Sequence, residues 1–145
     1  MNKLMSGVIA GLVATVILSM MMVMKSKMGL MPELDIISML ASMMGAGVLI
    51  GWIMHFMIGI GYGVAFSVIN NILPGNFIIK GIAIGILGWI FMMLALMPIM
   101  GAGLFAMKMG MMAPVMTLML HVIFGTVLGL TYSKLTQENL IASTL

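Results

Sequence analysis

The sequence predicts an all-α membrane protein: four transmembrane helices forming a duplicated helical hairpin, with two short interfacial helices. Three observations carry this expectation. The first is composition, since 63% of the 145 residues are hydrophobic and 6% are charged, against about half and about a quarter in soluble domains. No water-facing surface can be built from such a chain. The second is length: the apolar residues fall into four runs, Leu4 to Met24, Gly47 to Ile69, Ile78 to Met100 and Ala113 to Tyr132. Each is near the ~20 residues that cross a ~30 Å hydrocarbon core. The third is an internal repeat. His55 is followed by Gly59, Gly63 and Phe66, and His121 by Gly125, Gly129 and Tyr132, each pair 66 residues apart (121 − 55). The chain is read as one domain, residues 1–145, with one repeat over 1–73 and the second over 74–145.

The first run continues into Met21, Met22 and Met24 without a small-residue cleavage site, so it is expected to remain as a helix rather than be removed as a signal peptide. Gly7, Gly11 and Thr15 stand four residues apart on one face, with Ser19 extending it. In lipid, helix association has no hydrophobic drive and depends on such close-packing faces. After Lys25 and Lys27 comes GLMPELDIISMLASMMG. Pro32 suits the first turn of a short amphipathic helix, with Glu33 and Asp35 at the positive end of its dipole. The acids have a second reading as a cation mouth. The second span carries Trp52, His55, Gly59, Gly61, Tyr62 and Gly63 and ends at Asn70, Asn71 and the turn signature Pro74-Gly75.

The third span presents Gly81, Gly85 and Gly88, with Trp89 midway and Met92, Met93, Met97 and Pro98 near its end. Gly7 and Gly11 align with Gly81 and Gly85, more loosely than the second helices of the two repeats align. A second interfacial stretch with Lys108 follows Gly101-Ala102-Gly103, and Pro114 opens the fourth span. The tail from Ser133 is polar and carries Lys134 and Glu138. Lys3, Lys80 and Lys134 mark one side of the membrane and Lys25, Lys27 and Lys108 the other, an even split. The termini are placed on the cytoplasmic side. Gly7, Gly11, Gly59, Gly63, Gly81, Gly85, Gly125 and Gly129 are the expected packing residues, serving internal contacts, a homodimer or a larger membrane complex.

Parallel repeats related by an axis along the membrane normal put the second and fourth spans in equivalent places. His55 and His121 then lie at one depth and can face each other. An ionisable residue inside a span is costly and marks a candidate site. Neutral imidazole ligates iron, copper, zinc and nickel, and thioethers favour cuprous ion. The candidate metal ligands are therefore His55, His121, Met57, Met93 and Met119, with Glu33 and Asp35 at the mouth and iron or copper as the ion. Two alternatives are an electron carrier with haem held by both histidines, Gly59 and Gly125 leaving room for the macrocycle, and an accessory subunit that packs through its glycine faces. In the plainest reading the histidines make helix-to-helix hydrogen bonds and the methionines fill the core.

Several classes are poorly supported. There is no cysteine, and no Ser/His/Asp spacing or Gly-rich phosphate loop, so no enzyme is expected. Six scattered lysines form no basic patch for nucleic acid. The segments GVIAGLVATVILSMMM, MPELDIISMLASMMG, GWIMHFMIGIGYG, LPGN and MPIMGAGLFAMKMGMMAPVMTLMLHVIFGTVLG together resemble a family of small bacterial inner-membrane proteins classed as a domain of unknown function, distantly like the YagU-type membrane proteins. The resemblance covers nearly the whole chain. It implies an inner-membrane location and a pattern containing both histidines, Glu33, Asp35, Gly101 to Phe105 and Ala113-Pro114, and implies no activity. The family resembled usually has leucine or valine where this chain has many of its methionines.

Overall fold

The structure, a computed structural model, describes residues 2–142, with side chains to residue 137. Met1, the Glu138 side chain and residues 143–145 of the expected second repeat lie outside the described residues. The chain forms helices α1 (Lys3–Lys27), α2 (Ile36–Met43), α3 (Val48–Ile69), α4 (Phe77–Ile99) and α5 (Met112–Ala142). All but α2 are long and apolar enough to cross a membrane. Among the described residues there is no strand.

Helix starts follow side-chain chemistry. Asn2 caps α1 by accepting from the Met5 N–H at 2.8 Å, and Asn76 caps α4 by accepting from Ile79 at 3.0 Å. The structure moves the start of α2. Pro32 and Glu33 lie in a turn before the helix, and Asp35 is the capping residue, accepting from the Ser38 N–H at 3.1 Å. The preceding loop is tied down by Lys25, whose ammonium donates to the carbonyls of Met31 and Leu34 at 3.1 and 2.8 Å. α2 buries Ile37, Leu40 and Ala41 and exposes Ser38 and Ser42, the expected amphipathic division.

The second expected interfacial helix is reduced to a short, kinked 3₁₀ stretch. Leu104–Met109 is a broken tight turn in which Phe105 and Ala106 take left-handed backbone angles, at φ of 52° and 53°. Positive φ at Gly101, Gly103 and Gly110 prevents a regular helix from starting or continuing there. Ala106 is fully buried by the resulting fold-back.

Within α4, Met92–Leu96 is a π-helical turn, closed by the Met97 N–H donating to the Met92 carbonyl. Pro98 supplies the reason. It has no N–H for the Leu94 carbonyl, and its ring would collide with that carbonyl in a regular helix. The widened turn leaves both Met92 and Met93 buried, although they are consecutive.

The helices associate as two backbone-to-backbone pairs. A side chain at Gly7 or Gly63 would run into the other's backbone carbonyl, and Gly11 sits against Gly59 and Gly63. Likewise Gly81 sits against Gly125 and Gly129, Gly85 against the His121 carbonyl, and Gly129 against Phe77. All eight expected packing glycines are thus consumed within α1·α3 and α4·α5. The two pairs differ from the sequence alignment by one turn: Gly11, not Gly7, occupies the place corresponding to Gly81.

The pairs join mainly through α1 and α5, whereas α3 and α4 scarcely touch. The seam is filled by Ala10, Ala14, Phe66, Ile84, Phe124, Leu128 and Tyr132. There the Phe66 and Tyr132 rings meet edge to face, 5.1 Å between centroids.

Two substitutions separate close approach from helix propensity. Gly63→Ala forces a methyl into the Gly7 backbone and is expected to destabilise by ~1–3 kcal/mol, read as denaturant unfolding in detergent. Gly61→Ala meets nothing within 4 Å and should be neutral or stabilising by up to ~1 kcal/mol. Equal effects would show that the glycine contacts do not hold the pair together.

Candidate functional site

Where α3 and α4 fail to meet, the four long helices line a cavity of about 200 Å³. Its walls are almost wholly apolar. α1 contributes Thr15, Leu18 and Met22, and α3 contributes His55, Ile58, Gly59 and Tyr62. Phe91, Met92 and Leu96 line it from α4, and Thr117, Leu120, His121 and Phe124 from α5. Ile36 and Leu40 of α2 close one end. Both histidines therefore line one cavity, seven and nine residues after Val48 and Met112.

Hydrogen bonding sets the tautomer of each ring. Thr15 Oγ1 donates to the Gly11 carbonyl at 2.7 Å, and Ser19 Oγ donates to the Thr15 carbonyl at 2.8 Å. With its proton spent, the Ser19 hydroxyl can only accept from His55 Nε2, 3.2 Å away. His55 Nδ1 then keeps its lone pair. His121 Nδ1 lies 2.8 Å from the Thr117 carbonyl, which can only accept, so the His121 lone pair is on Nε2. Neither lone pair has a hydrogen-bond partner among the described residues, and the same holds for the Tyr62 hydroxyl, which rests in the notch left by Gly88. The cavity is thus lined by two imidazoles, each with one unprotonated ring nitrogen, and by a phenol.

The expected methionine ligands lie elsewhere. Met57 and Met119 are 66% and 57% exposed on the outer surface, because two residues along a helix turn a side chain by ~200° away from the histidine. Met93 is fully buried, in a cluster beside the cavity. The methionines that line the cavity are Met22 and Met92. Among the described residues no three His, Cys, Asp or Glu side chains group together. The room expected for haem is also taken: Thr15 fills the space at Gly59, and the Gly81 backbone fills it at Gly125.

The acids do not line this cavity. Glu33 and Asp35 line a separate groove of about 430 Å³ with Ser38, Met39, Ser42, Met43, Ile99 and Met100. Burial opposes charge on the Asp35 carboxyl. Hydrogen bonds from Ser38 and the Ile37 backbone, with the Lys25 ammonium nearby, outweigh it and hold the group below its ordinary 3.8.

The sequence signals for the missed residues were present. Tyr62 is seven residues from His55, on the same face, and Ser19 continues the Gly11–Thr15 stripe. Thr117 stands one turn before His121.

The chain belongs to the family of unknown function DUF6789, whose model matches residues 1–143. The expectation of an uncharacterised family is met. No curated protein and no solved structure matches the chain, so the likeness to YagU-type proteins gains no support.

Two measurements follow. Proton–nitrogen correlation spectra of histidine-labelled protein should show His55 as the Nε2–H tautomer and His121 as the Nδ1–H tautomer; the opposite form in either ring would remove its lone pair from the cavity. A carboxyl held low stabilises the fold above its ordinary value and ceases to as pH falls through the lowered one. Amide-exchange protection of α2 should accordingly be constant above pH 3.8 and fall below it, and Asp35→Ala should abolish that acid dependence.

Proposed function

We propose that this protein holds a soft monovalent cation, cuprous ion being the chemical type, between His55 and His121 inside the membrane. The observation that carries the proposal is the free lone pair on each of two rings lining one cavity. Fixing one imidazole nitrogen by a hydrogen bond while the other faces a metal is the usual support for a histidine ligand. Met22 and Met92 add thioethers, which select cuprous ion over harder metals. Iron, held equally open by the sequence, is disfavoured because no carboxylate accompanies the rings. Haem is disfavoured by size, since about 200 Å³ falls below the ~300–1,000 Å³ of ordinary small-molecule sites. An accessory role through glycine faces loses its motive, because those faces are spent within the chain.

We place the protein in a bacterial inner membrane with cytoplasmic termini and read its halves as a duplicated hairpin with parallel repeats. Phe66 and Tyr132, 66 residues apart, pack on each other as near-axial equivalents would, and His55 and His121 share a cavity. The missing α3·α4 seam departs from two-fold symmetry, and that departure is what leaves space for a ligand.

The test is elemental analysis of detergent-purified protein from copper-replete cells, wild type against His55→Ala/His121→Ala. Copper stoichiometric with the chain in wild type and absent from a variant of unchanged helicity is expected. Metal-free wild type, or copper retained by the variant, would overturn the proposal.

A further inference from the structure

The two apolar cores differ in one respect. The seam between the helix pairs, with its flanking Leu18, Tyr62, Ile69, Leu73, Phe77 and Val127, contains no methionine. The second core, beside the cavity, is built around Met92, Met93 and Met97 and flanked by Met31, Met39, Met100 and Met109. Seven of its thirteen side chains are thioethers. If methionine served only as an adaptable filler, a chain with 23 of them would use it in both cores. Moreover, the π-helical turn lies in this core and turns Met92 and Met93 inward together, and such turns are frequent at functional sites.

The cluster also connects two places already described. Met39 and Met100 line the acidic groove with Glu33 and Asp35, and both pack against the buried cluster that contains Met92, Met93 and Met97. Met92 belongs to the cluster and lines the histidine cavity. We propose that Met39, Met100, Met97, Met93 and Met92 form a thioether path, with a binding station at Met93 and Met97, that carries a soft monovalent cation between the acidic groove and the histidine pair. The inference takes its endpoint from the cavity reading above, while the station stands on the cluster alone. Thioethers are neutral and polarizable, so each can replace part of the hydration shell of a soft ion without placing a charge inside the membrane. Hard cations gain little from sulfur and would be left behind at the groove.

The probe is silver ion, a closed-shell stand-in for cuprous ion that is stable in air. Binding is read as silver per chain after desalting against a competing thioether, in detergent-purified protein of checked helicity. Met93→Leu/Met97→Leu keeps volume nearly constant and should lose part of the bound silver. His55→Ala/His121→Ala should lose a different part, and the combined variant both. Met57→Leu/Met119→Leu, on the outer surface, should bind as wild type does. Silver binding unchanged in Met93→Leu/Met97→Leu, or lowered equally by Met57→Leu/Met119→Leu, would overturn the thioether station. Loss confined to the methionine variant would leave the station standing and remove its endpoint, so the two ideas fail separately.

Discussion

Everything in this fold depends on direct backbone contact between helices at glycine. In lipid, apolar side chains gain nothing by leaving solvent, so a helix pair is held by close packing over a long interface. Gly7, Gly11, Gly59 and Gly63 provide that for α1·α3, and Gly81, Gly85, Gly125 and Gly129 for α4·α5. With both stripes spent inside the pairs, the seam between pairs must be made by larger side chains. Phe66, Phe124, Leu128 and Tyr132 fill it on the α1·α5 side. Bulk there wedges the pairs apart on the other side, where α3 and α4 line the cavity.

The same packing fixes the chemistry of the cavity wall. In a medium of low polarity a serine or threonine hydroxyl finds its nearest acceptor in the carbonyl one turn back along its own helix. Thr15 and Ser19 both do this. Ser19 is thereby converted to a pure acceptor, and the tautomer of His55, on another helix, follows from it. His121 needs no such help because it bonds its own helix at Thr117. The two rings reach the same state, one free lone pair each, by different means.

Much of this was legible in the chain. The four spans, the histidines, the packing glycines and the amphipathic α2 all follow from periodicities of one helix, which a sequence displays directly. Features that depend on two helices were not. The cavity exists because α3 and α4 diverge, and no single run records that. Met57 and Met119 stand two residues from the histidines and so at their depth, but depth without angular position around the helix places a side chain on either surface. The stretch around Lys108 has helix-forming residues, yet three glycines at positive φ decide its path. The start of α2 was misplaced because Pro32 and Asp35 are both good opening residues, and the competition was won by the aspartate that could reach the Ser38 N–H.

The placement of charge bears on which ion the proposed site would hold. The cost of taking an ion out of water rises with the square of its charge, so a divalent ion in the span requires carboxylates to offset it. The three acids of this chain, Glu33, Asp35 and Glu138, all lie outside the four apolar runs. What the interior offers instead is neutral: two imidazole lone pairs, a phenol hydroxyl and thioethers. Such a wall can stabilise one positive charge spread over polarizable atoms, and it cannot stabilise two concentrated on a hard ion. Glu33 and Asp35, which line a separate groove, add a field that raises the local concentration of any cation there. Under the proposal, selection by softness falls to the sulfur and nitrogen atoms.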